Sequence, residues 1–142
     1  MESDSGEWKG TSRKTKLFLA VGITVVHCLQ AVIPHMADLK YGRIVNLGSI
    51  ARGEGGLPGY ADYAACKAAV IELTETLAME NAKRGITVNS VSPGMILKSV
   101  GPHDGTWVGW SGSPDDIARA ILFLASDIAA YMTGVDMPVG ST

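Results

Sequence analysis

Two short apolar runs, "RIVNLG" at 43–48 and "ITVNSVS" at 86–92, are separated by a helical pattern running from Tyr60 to Arg84. A full helix between two strands of one sheet forces them to lie parallel, with a right-handed crossover. The first run, short, β-branched and closed by Gly48, reads as a buried strand of the parallel type, and the second is ended by Pro93-Gly94. A further helix over "SPDDIARAILFLASD" opens with Ser113 as N-cap, Pro114 at N1, and Asp115 and Asp116 in the first turn. It leads to a last short strand in "GVDMPVG" at 134–140. Ahead of all this, a helix is predicted from about Ser12 to His35, its apolar face continuing through Leu29, Val32, Ile33 and Met36. The order helix–strand–helix–strand–helix–strand predicts an α/β fold with a parallel sheet and a site at the carboxyl ends of the strands.

At 142 residues the chain is long enough for one domain with its own core. Residues 1–11 are polar and expected to be flexible, leaving 12–142 as the folded part. A net charge of −2, with no basic stripe interleaved with aromatics, speaks against nucleic acid as a partner. The run "LFLAVGITVVHCLQAVI" after "TSRKTK" imitates a signal peptide. Its 17 apolar-type positions are short for a membrane span, His27 and Gln30 interrupt it, and no A-x-A site follows. A buried helix is the better reading, with no membrane partner. Cys28 and Cys66 form no C-x-x-C pattern and read as small buried residues in a reducing, cytoplasmic compartment. His27, His35 and His103 share no metal-ligand spacing, and no metal is expected.

The chemistry concentrates in "GYADYAACKAAV" at 59–70. Positions i and i+4 of a helix share a face, so Tyr63 and Lys67 can project into one cleft. A nearby ammonium favours the phenolate, which makes a phenol usable as a general acid or base. Ser49 follows the first strand and can donate a hydrogen bond to a substrate oxygen, and Pro93-Gly94 follows the second. Taken alone, a Y-x-x-x-K spacing is common on any helix, and a core tyrosine beside a solvated lysine is the better reading of it. Trp107 and Trp110 either line a substrate pocket or cover the end of the sheet.

The motifs are not alone. "YGRIVNLGS", "YADYAACKAAV", "RGITVNSVSPG" and "SPDDIARAILFLASDIAAYMTG" come in the order and spacing of the short-chain dehydrogenase/reductase family, which the chain resembles over about 17–140. The resemblance implies the carboxyl-terminal portion of a Rossmann-like, doubly wound sheet. It also implies hydride transfer between an alcohol or ketone and NAD or NADP. By position it makes Tyr63 the catalytic acid/base, with Lys67 favouring its ionised form and holding the nicotinamide ribose, and Ser49 orienting the substrate carbonyl. Pro93, Gly94 and Ile96 would lie against the nicotinamide. Subunit contacts through the first helix, the Tyr63 helix and the final helix and strand imply a homo-oligomer.

The departures from the family pattern are specific. No G-x-x-x-G-x-G occurs in the 142 residues, and "GEGG" at 53–56 follows the serine rather than a first strand. Val21 stands where the family usually has a catalytic Asn, and Lys98 where it has a Thr. The expectation is therefore a truncated domain without the glycine-rich dinucleotide-binding half, its strand 43–48 left as an open, apolar edge. The alternative is a non-catalytic oligomerisation or interaction module that binds no cofactor.

Overall fold

The computed structural model describes residues 13–52, 59–97 and 101–140. Its elements are α1 (Arg13–Leu39), β1 (Gly42–Leu47), α2 (Ala61–Asn81), β2 (Ile86–Pro93), α3 (Pro114–Ala125) and β3 (Asp136–Val139). The strands form one parallel sheet in the order β1-β2-β3, with Gly42 opposite Ile86 and Ser90 opposite Asp136. Helices cover both faces. Leu29 of α1 and Ala78 of α2 pack with Ile44, Ile86 and Val88 on one side. Ile117 and Leu124 of α3 pack with Val91 and Ala129 on the other. The expected α/β architecture is therefore the observed one. The polar residues 1–11 and the "GEGG" stretch lie outside the described residues.

The helix α1 runs past His35 to Leu39, through Pro34. Pro34 removes the N–H that would bond the carbonyl of Gln30, and both residues are exposed, so water can take that carbonyl. Met36 and Ala37, one turn on, pack against the first cluster and hold the helix together beyond the proline. Cys28 corrects the reading of two buried cysteines: it is exposed on α1, whereas Cys66 is half-buried, and both are free thiols. An apolar period of 3.6 marks a helix but does not say how wide a stripe its neighbours cover. Among the described residues, no helix is long and apolar enough to cross a membrane.

The face of α2 toward the sheet is Val70, Ile71, Thr74, Ala78 and Asn81. Thr74 is the polar member, and its hydroxyl donates to the carbonyl of Val70 at 2.8 Å and accepts from Nδ2 of Asn46 at 2.8 Å. Burial without those bonds would cost ~1–3 kcal/mol. The helix relaxes into a short 3-10 turn and stops at Gly85, whose φ is 77°. A Cβ there would stand 2.2 Å from the carbonyl oxygen of Lys40, so the connection to β2 can pass only with glycine.

Candidate active site at the carboxyl end of the sheet

Parallel pairing brings the ends of β1 and β2 side by side. Leu47 lies opposite Val91, and Gly48 donates its N–H to the Val91 carbonyl at 2.8 Å. The residues that follow, Ser49 on one strand and Pro93-Gly94 on the other, therefore open at the same edge of the sheet. Gly48 allows this close approach, because a Cβ would lie 2.5 Å from Oγ of Ser92 and 3.0 Å from Cδ1 of Ile71. Ser49 is buried, and its Oγ accepts the N–H of Ala51 at 3.2 Å. Gly94 donates its N–H to the Val139 carbonyl at 2.9 Å. Ile96 pairs with Gly112, and its side chain packs with the Val91–Ile117 cluster.

The sheet-facing stripe of α2 starts before the sheet does. Extended toward the N-terminus by turns of three and four residues, it reaches Lys67 and Tyr63, both half-buried. Lys67 donates from Nζ to the carbonyl oxygen of Leu47 at 2.7 Å, and its ammonium stands 5.9 Å from the centroid of the Tyr63 ring. Burial pushes the Lys67 ammonium below the ordinary lysine value, with the Cys66 sulfur acting weakly in the opposite direction. Cys66, one position away, is pushed up by burial and by Asp62, and Lys67 offsets this in part. Its thiolate is disfavoured. On its other flank, through Asp62, Ala65, Cys66 and Ala69, α2 faces Ile23 and Val26 of α1 across an apolar groove of about 550 Å³.

Two participants had no advance signal or a faint one. The Leu47 carbonyl that fixes Lys67 is backbone, and no residue type announces it. Asp136 at the start of β3 accepts hydrogen bonds from the fully buried hydroxyls of Ser90 at 2.5 Å and Ser92 at 2.7 Å, tying β2 to β3 beneath the site. Its signal was a carboxylate in the strand "GVDMPVG" at 134–140, where an apolar residue suits an inner position. Trp107 and Trp110 are exposed, at 87% and 54%, on a loop closed by the Thr106 hydroxyl, which donates toward the carbonyls of His103 and Trp110. The side chain of Val21 and the whole of Lys98 lie outside the described residues.

A serine after β1, a tyrosine and lysine on the first turns of the next helix, and a Pro-Gly that ends β2 share one end of a parallel sheet. Comparison with known proteins then assigns the chain. The sequence model of a family described as "Enoyl-(Acyl carrier protein) reductase" matches residues 16–141. The chain belongs to the short-chain dehydrogenase/reductase family. It is 40% identical over 126 residues to the 3-oxoacyl-[acyl-carrier-protein] reductase FabG of Haemophilus influenzae, a match covering 82% of this chain and 52% of that protein. Among solved structures, a 3-oxoacyl-[acyl-carrier protein] reductase from Brucella melitensis superposes with a TM-score of 0.72 at 30% identity, over 79% of this chain and 46% of that one. The acetoin dehydrogenase YohF from Salmonella typhimurium superposes with a TM-score of 0.74 at 31% identity, over 79% and 48%. The chain thus spans about half the length of the relatives it matches.

Proposed function

We propose that the chain supplies the substrate-side half of an NAD(P)-dependent oxidoreductase site, in which a ketone is reduced to an alcohol or the reverse. The observation that carries this reading is Lys67, desolvated at the sheet end, anchored on the Leu47 carbonyl, and on the same helix face as Tyr63. The residues present fit the nicotinamide-ribose end of such a dinucleotide. Lys67 would hold the ribose hydroxyls, while Pro93, Gly94 and the backbone of Ile96 would lie against the ring. When bound, the dinucleotide supplies or accepts the hydride. Tyr63 gives the proton to the developing alkoxide oxygen, Ser49 orients that oxygen by a hydrogen bond, and the Lys67 charge stabilises the phenolate left behind. Among the described residues no glycine-rich strand-to-helix turn is present for the diphosphate.

The expected cofactor affinity of the chain by itself is therefore millimolar, worth about 4 kcal/mol. Titration with NADH and NADPH, followed by nicotinamide fluorescence, should show weak saturable binding that Lys67→Met abolishes. No binding at millimolar cofactor would favour a non-catalytic module. A homo-oligomer is part of the same proposal, supported by the apolar groove between α1 and α2 and by Ile23, exposed to 56% beside it. Light scattering should show the oligomer, and Ala65→Arg should dissociate it. A stable monomer would count against it. A cytoplasmic setting is also proposed, supported by the two free thiols.

A further inference from the structure

On the sheet face that α2 covers, the side chains change character just before the site. Ile44 and Val88 form an apolar row in the core beneath α1 and α2. The next row, Asn46, Ser90 and Asp136 across the three strands, is polar, and Ser92 follows on the same face. Ser90 and Ser92 are fully buried, and both donate to one oxygen of Asp136, Oδ1, at 2.5 and 2.7 Å. An apolar row in these places would cost less desolvation than two hydroxyls and a carboxylate. Joining β2 to β3 does not require them, because the N–H groups of Ser90 and Gly94 already bond the carbonyls of Val135 and Val139.

The ladder between β1 and β2 is less complete. Gly48 donates to the Val91 carbonyl at 2.8 Å, and the next bond of a parallel ladder would run from residue 93 back to the Gly48 carbonyl. Pro93 has no N–H to make it. Beyond that point it is the side chain of Ser92 that meets β1. Its Oγ lies 2.5 Å from where a Gly48 Cβ would stand, so the hydroxyl rests against bare backbone one residue before Ser49. Ser92 is itself two residues before Gly94. A buried hydroxyl that loses its acceptor turns toward another, and a turn of this one would press on Gly48.

We propose that Asp136 is a positioning residue for the mouth between Ser49 and Gly94. By holding the Ser92 hydroxyl on the β3 side, its carboxylate lets β1 close on β2 and sets the gap between the two strand ends. The inference rests on the proposed function only for what enters that gap, the substrate oxygen at Ser49 and the nicotinamide ring at Gly94. Ser90 shares the carboxylate but lies two residues deeper, and it sets no part of the mouth.

The test is a double-mutant cycle on the ¹⁵N-labelled chain, read without cofactor at the amides of Ser49 and Gly94. Asp136→Ala should shift both. The same substitution should have no effect on them in a Ser92→Ala background, where no hydroxyl is left to turn, and its full effect in a Ser90→Ala background. Asp136→Asn, whose carbonyl oxygen can accept both hydroxyls, should leave Ser49 and Gly94 where they are. Should Asp136→Ala not fold, Ser92→Thr keeps the hydroxyl, adds a buried methyl beside Gly48 and should shift Ser49. With NADPH at about 10 mM, the cofactor-induced shift at Gly94 should fall by about threefold in Asp136→Ala and recover when Ser92→Ala is added. The proposal is overturned if Asp136→Ala leaves Ser49 and Gly94 unmoved, or if its effect survives in the Ser92→Ala background or disappears in the Ser90→Ala one. The carboxylate is then a tie between strands and nothing more. An unmoved Ser49 in Ser92→Thr overturns it too. Absence of NADPH binding by the unaltered chain counts against the proposed function alone, since the cycle is read without cofactor.

Discussion

An ammonium drawn halfway out of water loses hydration that a single carbonyl restores only in part. Lys67 is in that position, and it should release its proton at lower pH than an ordinary lysine. Since folding depresses this value, the folded state gains stability as pH rises between the folded and unfolded values of Lys67. A ¹³Cε titration of the lysine side chains should show Lys67 leading, and coincidence with a free lysine would remove the basis for its role. At Tyr63, replacement by Phe should lower turnover in a reconstituted site by about 10²- to 10⁴-fold with cofactor affinity kept. The pair was legible because a four-residue spacing fixes a shared helix face. The Leu47 carbonyl was not, since a backbone acceptor leaves no trace in residue type. The exposure of Cys28 was equally hidden, because α1 has apolar residues on more of its circumference than its neighbours cover.

At the level of elements, α3 gives the cleanest case of local control. Asp116 accepts the N–H of Ser113 at 2.8 Å and its hydroxyl at 2.7 Å, and Arg119 donates to it at 2.6 Å. These bonds, the backbone one foremost, hold its carboxyl down at about 2 against an ordinary 3.8. A depressed carboxylate contributes stability that is complete above its unfolded value and lost as pH falls through its folded one. Melting temperature should therefore fall between about pH 4 and pH 2, and Asp116→Asn should flatten that part of the profile. Identical acid profiles for the two proteins would show that the cap carries no pH dependence. This element was readable in the order Ser-Pro-Asp-Asp, because helix starts obey local rules. The end of α1 was misplaced by four residues, at His35 instead of Leu39, because tertiary packing of Met36 and Ala37 overrides a proline.

For the whole molecule, stability rests on the two layers that clasp the sheet. Leu124 is fully buried in the α3 layer, and Leu124→Ala should cost ~2–5 kcal/mol by urea unfolding. A change below ~1 kcal/mol would mean that this layer packs loosely. The layered parallel sheet was legible because full helices between strands admit no antiparallel pairing. The polar tie of Ser90 and Ser92 to Asp136 was not, since it joins residues 46 and 44 apart in the chain. We propose that one end of this sheet presents Ser49, Tyr63 and Lys67 to the nicotinamide end of a dinucleotide. Backbone NMR of the ¹⁵N-labelled chain, titrated with NADPH to about 10 mM, tests it directly at the millimolar affinity argued above. Saturable shifts are expected at Ser49, Tyr63, Lys67 and Gly94, with none along the groove between α1 and α2. Shifts confined to that groove, or none at all, would contradict it.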